Sequence, residues 1–367
     1  MDNSAVTVTD SYTFGIIGAG AVADLHARAI ADLEGATLVA AARRSEAPGR
    51  AFAEEHECDW YPDAETLLDA SDPDVVMIAT PSGAHLEPTV AAAERGVHVL
   101  CEKPLEITTD RIDQMMAAAD AHDVKLGGIF QERYSGVLRA VHDAVADGRF
   151  GTLAVASAAV PWWRDDDYYE GTWKGTEALD GGGALMNQSI HAIDALAWIV
   201  RAGLDLAPGD NPVAEVYART DVRGHDPAHV EVEDTAVATL HFRDGTLGTL
   251  LGATSMYPGT RRRLQIAGRQ GTAEVHEDEL VCWRLRNERP GDEALRDRYG
   301  TSGDEGGAAD PMAIDYEKHR QNIEAFLAWV DHDAAFALDA AEARTAVEII
   351  EAIYASAEAE EPVTIAP

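Results

Sequence analysis

A glycine-rich turn between an apolar strand and an amphipathic helix constrains the fold of this chain more than any other feature. The segment YTFGIIGAGAVADLHARAIADL starts with a strand pattern at 14–17, and apolar residues at helical spacing follow the turn. Gly18 permits a tight turn, and Gly20 lets the backbone approach a bound group closely. Because a helix N-terminus suits an anion such as a pyrophosphate, the pattern predicts a phosphate-binding turn rather than a turn that binds nothing. The residues of this turn are Gly18, Ala19, Gly20, Ala21 and Val22.

Strand patterns alternate with helix patterns from residue 13 to residue 130. Further strands are predicted at 36–42, 74–80, 97–100 and 124–130. Such alternation is typical of a mostly parallel sheet with right-handed crossovers and helices on both faces. Together with the glycine turn, it predicts a Rossmann dinucleotide-binding domain over residues 1–130.

The pattern changes after residue 130. One long core helix is predicted in GGALMNQSIHAIDALAWIV, and a run of neighbouring strands with short turns follows between 214 and 285. These features predict a second α/β domain over 131–367 with a mixed or antiparallel sheet. Residues 287–312 are rich in Gly, Asp and Glu and predict an exposed loop. Two helices finish the chain, and the sequence leaves open whether they pack back on the first domain.

The formal net charge of −36 excludes several classes of partner. Such an acidic chain repels nucleic acid and anionic membranes, so neither is expected as a ligand. The acidic residues are spread along the chain, which argues against an acidic disordered tail. With only four lysines among 29 basic residues, the composition resembles that of proteins from salt-loving organisms, in which ions screen self-repulsion. An ordinary acidic enzyme is the alternative.

Neither a membrane span nor a secretion signal is expected. No apolar run reaches the roughly 18 residues that a span needs, and MDNSAVTVTDSYTF lacks the basic start and apolar block of a signal peptide. We therefore expect a cytoplasmic protein. Cys58, Cys101 and Cys282 are odd in number and far apart, which suits a reducing compartment and matches no metal-binding spacing.

The end of the second strand bears on the choice of cofactor. In NAD-binding folds, an acidic residue roughly 20 positions beyond the glycine turn binds the ribose hydroxyls. Here the corresponding residues are Arg43, Arg44 and Ser45, without a carboxylate. Guanidinium groups suit a ribose phosphate, so NADP(H) is expected to be preferred, with NAD(H) possible. The alternative is a pair of solvated surface arginines.

Three polar residues stand on one face of the predicted core helix. Asn187, His191 and Asp194 occupy positions i, i+4 and i+7 of an otherwise apolar helix. Buried polar side chains need partners or a cleft, so this face predicts a binding site. A hydrogen-bonded core histidine is the alternative. No metal is expected, since Asn is a poor ligand and no second histidine has a fitting spacing.

A lysine stands at the end of a predicted core strand, in the segment HVLCEKPLEI. Open α/β sheets bind ligands at the carboxyl ends of their strands, so Lys103 is expected near a bound molecule. Pro104 restricts the lysine to extended backbone conformations. The sequence therefore predicts a functional lysine at this edge of the sheet.

Four segments together resemble the glucose-fructose oxidoreductase / inositol 2-dehydrogenase family (Gfo/Idh/MocA). They are the glycine turn, ATPSGAH at 79–85, CEKPL at 101–105 and GGGALMNQSIHAID at 181–194. The resemblance implies a Rossmann domain followed by an α/β domain with a large open mixed sheet, which usually forms a homodimer or homotetramer interface. It also implies hydride transfer between NAD(P) and a secondary hydroxyl or carbonyl of a sugar, cyclitol or nucleotide sugar.

The resemblance also implies roles for individual residues. Lys103 matches the family's active-site lysine, which stabilises a developing alkoxide, and His191 matches the catalytic histidine, which takes or gives the proton. The implied cofactor contacts are Thr80, Pro81, His85, Glu102 and Lys103. Many members carry Asp where this chain has Asn187, so an Asp–His relay is not expected and an Asn187→Asp substitution is expected to be mild. Members with Asn look similar to enzymes that oxidise nucleotide-sugar uronates.

The segment PWWRDDDYYEGTWKGTEALDGGG (161–183) combines aromatic rings with two cations. Such a set suits a sugar that bears a carboxylate or a phosphate, and the alternative is a packed loop or an oligomer contact. The expected substrate-binding residues are Arg164, Tyr168, Lys174, Asn187 and Tyr257.

The sequence as a whole predicts an NAD(P)-dependent oxidoreductase of a sugar-like substrate. Two alternatives stay open: a non-catalytic NAD(P)-sensing regulatory or binding protein, and a reductase of a non-carbohydrate substrate such as an imine or a dihydrodiol. The presence of both Lys103 and His191 argues against a sensor.

Overall fold

The structure is a computed structural model that describes residues 11–207, 209–300 and 316–366. It contains two compact units. The first unit takes in the chain up to Gln131 and a later stretch that ends at Ala343. The second unit takes in the chain from Glu132 and, after that later stretch, from Arg344 onward.

Six strands form one parallel sheet in the described part of the first unit, in the order β3-β2-β1-β4-β5-β6. The strands are β1 (Tyr12–Ile17), β2 (Ala36–Ala42), β3 (Asp59–Tyr61), β4 (Val75–Ile78), β5 (His98–Cys101) and β6 (Leu126–Gly128). β4 is buried along its whole length, as expected of a strand covered on both faces. The strand order reverses between β1 and β4, and sheets of this kind bind ligands at the carboxyl ends of such a pair.

Helices accompany this sheet, and one of them comes from the far end of the chain. They are α1 (Ala21–Ala31), α2 (Glu46–Glu55), α3 (Ala64–Ser71), α4 (Leu86–Ala93), α5 (Thr109–Ala121) and α9 (Tyr316–His332). α9 packs on α1 and buries Ile323, Phe326 and Leu327. The described helices include none that is both long and apolar enough to cross a membrane.

The described part of the second unit contains an eight-stranded sheet in the order β13-β12-β11-β7-β10-β9-β8-β14. The strands are β7 (Leu153–Pro161), β8 (Val213–Asp221), β9 (Thr235–Phe242), β10 (Leu247–Ala253), β11 (Arg263–Gly268), β12 (Gly271–His276), β13 (Glu279–Leu285) and β14 (Val363–Thr364). β7 and β10 pair in parallel and the other neighbours pair antiparallel. The predicted fold class, a Rossmann sheet followed by an α/β unit with a mixed sheet, is therefore confirmed.

The helices of the second unit differ from the sequence pattern at one place. They are α6 (Gly136–Ala146), α7 (Ile190–Arg201), α8 (Pro290–Tyr299) and α10 (Ala340–Ala359), the last beginning in the first unit. α8 lies where an exposed loop was predicted, because Pro290 opens a helix that Asp292 caps by accepting from the backbone N–H of Arg289. The predicted loop beyond residue 300 lies outside the described residues.

The acidic composition leads to a prediction about salt. We expect the melting temperature to rise as the potassium chloride concentration approaches about 1 M. At that concentration the Debye length falls to about 3 Å, so the repulsion among the excess negative charges, a net −36, is screened. Sodium chloride at equal ionic strength is the control, since screening does not depend on the cation. A melting temperature that stayed the same from dilute buffer to molar salt would contradict this prediction.

Candidate active-site elements in the two units

The glycine turn joins β1 to α1 and leaves room for a ligand. Gly18 has a φ of +99°, and a Cβ there would lie 2.5 Å from the carbonyl carbon of Ala79, so only glycine fits. A Cβ on Gly20 would meet nothing closer than 3.9 Å. Gly20 is the N-cap of α1, and Ala21 and Val22 begin the helix, so backbone N–H groups are available to an anion. The turn therefore fits the pyrophosphate of a dinucleotide.

The two arginines after β2 have different surroundings. Arg43 donates from Nη1 to the carbonyl oxygen of Ala19 at 2.6 Å, and its own carbonyl accepts from Nε1 of Trp60 at 3.0 Å. Arg44 and Ser45 are exposed. Arg43 thus supports the glycine turn, and Arg44 is the arginine that is open to solvent at the strand end.

Lys103 follows β5, and its backbone is held by Glu102. The Oε1 atom of Glu102 accepts from Nε2 of His26 at 2.8 Å, and Oε2 accepts from the backbone N–H of Lys103 at 3.0 Å. Burial raises the pKa of the Glu102 carboxyl, but the hydrogen bond from His26 and nearby positive charges, that of His319 included, lower it to about 2. One ring nitrogen of His26, one carboxylate oxygen of Glu102 and one ring nitrogen of His319 lie within 4.8 Å of one another. The 2.8 Å contact between His26 and Glu102 is a hydrogen bond. Glu102 therefore fixes the backbone next to the lysine.

The loop after β4 contains the other predicted nicotinamide contacts. Thr80 donates from Oγ1 to the carbonyl oxygen of Ala84 at 2.8 Å. The His85 ring is almost fully buried, and its Nε2 lies 2.9 Å from the carbonyl oxygen of Thr80. Its Nδ1 lies 3.0 Å from the carbonyl oxygen of Pro104 and 3.2 Å from that of Leu105. The His85 ring thus connects Thr80 of this loop with the turn that carries Lys103, and Pro81 follows Thr80 in the same loop.

In the second unit, Arg164 is a buried cation without a carboxylate partner among the described residues. Its side chain donates from Nη2 to Oε1 of Gln188 at 2.7 Å and from Nη1 to the carbonyl oxygen of Trp163 at 3.1 Å. Its Nε has no hydrogen-bond partner in the described part of the chain. Arg164 is only 8% exposed, and a buried charge normally has a counter-charge. Within the described residues, the charge of Arg164 is therefore balanced by neutral acceptors alone.

Aromatic rings surround this cation. The Arg164 guanidinium lies 5.1 Å from the ring centre of Trp162 and 5.5 Å from that of Tyr168, and Nζ of Lys174 lies 3.8 Å from the centre of the Tyr168 ring. Burial raises the pKa of Tyr168 well above its usual value, so its hydroxyl stays protonated. Tyr257 packs edge-on against a neighbouring tryptophan and is 79% exposed. Arg164, Tyr168 and Lys174 thus form one cluster, with Tyr257 at the surface.

Asn187 is held in one orientation by two side chains. Its Nδ2 donates to Oδ1 of Asp180 at 2.5 Å, and its Oδ1 accepts from Nε2 of Gln188 at 2.8 Å. Gln188 also donates to the Tyr168 hydroxyl at 2.8 Å, which connects Asn187 to the aromatic cluster. Asp180 is buried, and its other oxygen accepts from the backbone N–H of Gly175 at 2.7 Å. Asp180 and Gln188 are hydrogen-bond partners of candidate residues that the sequence reasoning did not select, although both lie in segments that it quoted.

The predicted polar face of the core helix is divided in the structure. Residues Ala184–Ser189 form a π-helical turn, and α7 begins only at Ile190. Asp194 is buried and binds Arg133, with Nη2 of the arginine 2.6 Å from Oδ1. Asn187 lies in the π-helical turn and His191 lies, partly exposed, in the first turn of α7. The predicted single α-helix is thus π-helical at Asn187, and of the three polar residues Asp194 is used in an ion pair with Arg133.

A second carboxyl group missed by sequence reasoning holds the start of the π-helical turn. Glu233 accepts from the backbone N–H groups of Gly183 at 2.9 Å and Leu185 at 2.7 Å, and from the Tyr354 hydroxyl at 3.1 Å. Burial raises the pKa of Glu233 to about 7 although these hydrogen bonds favour the ionised form. No sequence signal links Glu233 to the turn, since the two are some fifty residues apart in the chain.

Comparisons with known proteins agree with this geometry. Residues 12–129 match a family model described as "Oxidoreductase family, NAD-binding Rossmann fold", and residues 138–274 match the "GFO/IDH/MocA C-terminal domain". The D-glucoside 3-dehydrogenase of Escherichia coli is 29% identical over 241 residues, which cover 63% of this chain and 66% of that protein. The myo-inositol 2-dehydrogenase of Thermotoga maritima is 26% identical over 263 residues, 70% of this chain and 73% of that protein.

A solved structure extends the likeness to nearly the whole chain. The WlbA dehydrogenase from Bordetella pertussis, in complex with NADH and UDP-GlcNAcA, is 26% identical, with a TM-score of 0.86. The alignment covers 98% of this chain and 99% of that one. The likeness therefore includes both units.

Proposed function

Since the chain belongs to the GFO/IDH/MocA family of oxidoreductases, we propose that it transfers a hydride between a nicotinamide dinucleotide and a secondary hydroxyl of a sugar that carries an anionic group. The activity of an NAD-dependent oxidoreductase on CH–OH groups follows from that membership. The anionic group on the sugar goes beyond what family membership gives. We infer it from the buried Arg164 guanidinium, which lacks a carboxylate partner in the described residues.

The catalytic roles that we propose belong to one residue of each unit. The glycine turn would hold a nicotinamide dinucleotide through its pyrophosphate, and that cofactor would supply the hydride chemistry. Lys103, whose backbone is fixed through Glu102, stabilises negative charge on the reacting oxygen. His191, partly exposed at the start of α7, takes the hydroxyl proton or gives it back.

The anion that we propose is the carboxylate of a uronate, either in a free sugar or in a nucleotide sugar. A guanidinium binds a planar carboxylate with two parallel hydrogen bonds, and Arg164 has an unused Nε donor. The solved relative bound to UDP-GlcNAcA supports the same class of substrate. The test is a panel of neutral sugars, cyclitols, uronates and UDP-linked uronates, followed at the nicotinamide absorbance. Turnover of the neutral compounds alone would refute the anionic substrate, and cofactor binding without any turnover would favour a sensor.

We further propose that NADP(H) is favoured over NAD(H), with Arg44 as the selective residue. Because Arg44 is exposed, its pairing with a 2′-phosphate is weak, and Arg44→Ala should lower kcat/KM for NADP(H) by roughly fivefold at most, with NAD(H) unaffected. Arg43→Ala should impair both cofactors because Arg43 supports the glycine turn. Arg28→Ala, at an exposed ion pair, is the control. Equal use of both cofactors by the unaltered protein would overturn the preference.

We also propose that a second copy of the chain covers one face of the mixed sheet, which makes a homodimer or homotetramer. Register places Val155, Tyr217, Val237 and Leu247 on the same face, and they are 38–61% exposed. An apolar surface of this kind is a liability unless a partner covers it.

Substitution of Val237 or Leu247 by Glu should therefore dissociate the assembly, as measured by light scattering at working salt. Ala146→Glu, at an exposed position on α6, is the matched control. A monomeric unaltered protein would refute the assembly.

A further inference from the structure

The His85 ring connects two loops of the first unit. One loop follows β4 and contains Thr80, and the other follows β5 and contains Lys103, Pro104 and Leu105. The distances are 2.9 Å from Nε2 to the carbonyl oxygen of Thr80, and 3.0 and 3.2 Å from Nδ1 to those of Pro104 and Leu105. The ring is 1% exposed, so water does not compete for either nitrogen.

In the described part of the chain, the hydrogen-bond partners of this ring are all acceptors. A carbonyl oxygen has no hydrogen to donate, and a neutral imidazole carries only one N–H. Contacts at both nitrogens therefore require both nitrogens to be protonated. We propose that His85 is a positioning residue that, as an imidazolium, clamps the loop after β4 to the turn that carries Lys103.

The charged groups around the clamp have other partners. Glu87 on α4 and Glu106 in the turn both bind Arg111 of α5, and the Glu102 carboxylate binds His26. Lys103 is the remaining charged residue of the turn. Among the described residues no carboxylate is hydrogen-bonded to His85, so the hydrogen bonds to its ring all come from carbonyl oxygens.

Loss of one proton would open the clamp at one end. A neutral His85 can donate either to Thr80 or to the turn, and the other contact then places two lone pairs against each other. The effect on catalysis rests on the proposed function, in which Lys103 contacts the reacting oxygen. Under that function, kcat falls as pH rises and His85 is deprotonated, whereas the substrate KM changes little.

The direct test is nitrogen-15 NMR of the protein with labelled histidine. We expect both ring nitrogens of His85 to be protonated at neutral pH, with the signals assigned by their loss in His85→Gln. His225 provides an internal control, because its nitrogens also face only acceptors, Asp234 Oδ2 and the carbonyl oxygen of Arg164, each at 2.9 Å. A neutral His85 beside a protonated His225 would overturn the clamp, whether or not the protein turns over any sugar.

The kinetic test compares pH profiles of kcat. Phe at position 85 removes the hydrogen-bond donors, so His85→Phe should lower kcat by roughly tenfold or more. Gln keeps uncharged donors, so His85→Gln should retain part of kcat and should lack the alkaline decline due to His85. His191 is unchanged in all variants, so the difference between profiles reports His85. His122→Gln, at an exposed position, is the control. Identical alkaline declines in the unaltered protein and in His85→Gln would overturn the link to Lys103. If no sugar is turned over, the proposed function fails and the NMR result still decides the clamp.

Discussion

Replacement of His191 by alanine is expected to lower kcat by roughly 10²- to 10⁴-fold, with little change in the affinity for NAD(P)H. The expectation follows from the proposed transfer of the substrate proton at this residue, which lies partly exposed at the start of α7. Lys103→Ala should cause a loss of similar size, because in the proposed mechanism this lysine stabilises the charge that develops on the reacting oxygen. Single-turnover kinetics and fluorescence titration with NAD(P)H measure the two quantities separately.

Two controls make this result specific. His229→Ala, at an exposed position of the same unit, should leave kcat unchanged. Lys103→Arg keeps the charge but changes its shape, and it should recover only part of the loss. Near-full turnover by His191→Ala across pH would show that another group moves the proton.

Replacement of Arg164 by glutamine is expected to lower kcat/KM for an anionic sugar by roughly 10- to 100-fold. A hydrogen bond to a charged group contributes about 1.5–3 kcal/mol, which corresponds to that range. Glutamine keeps a polar side chain in a position that is 8% exposed in the unaltered protein, so packing is disturbed less than by alanine. The loss should be absent with a neutral substrate analogue of the same sugar, such as the amide of a uronate.

The contrast between substrates is the decisive measurement. Arg223→Gln replaces an exposed arginine of the same unit that pairs with Asp221. It should leave kcat/KM unchanged for both the anionic and the neutral substrate. If Arg164→Gln lowered kcat/KM equally for the charged and the neutral substrate, Arg164 would have a structural role and the anionic substrate would lose its main support.

The fold class was predictable because its signals are local. Alternating apolar segments and the turn at Gly18 are visible within short windows, and the sheet of the first unit follows them. The helix α8 was not predicted, since its composition is that of a loop and its cap, Asp292, pairs with Arg149, which is 143 residues away in the chain. A short window of sequence contains no information about such a partner.

The candidate site was predictable where a motif is contiguous and unpredictable where hydrogen bonds cross the chain. Asn187 illustrates the difference. Its replacement by Asp was expected to have a mild effect on turnover. However, Nδ2 of Asn187 donates to Asp180, so a carboxylate at position 187 would face the carboxylate of Asp180 at 2.5 Å. Repulsion between them would favour protonation of one. We therefore now expect Asn187→Asp to disturb the cluster that contains Gln188 and Tyr168.

The packing of α9 on α1 has a consequence for synthesis on the ribosome. Asn322 of α9 donates to the carbonyl oxygen of Gly128 in β6, and the backbone N–H of that glycine donates to the carbonyl oxygen of Leu338. The nucleotide-binding unit is therefore incomplete until the chain has been translated past Leu338, so its folding cannot finish before most of the second unit has emerged. A nascent chain arrested at Gln131 would leave the α9-binding surface of α1 uncovered, open to chaperones or to other nascent chains.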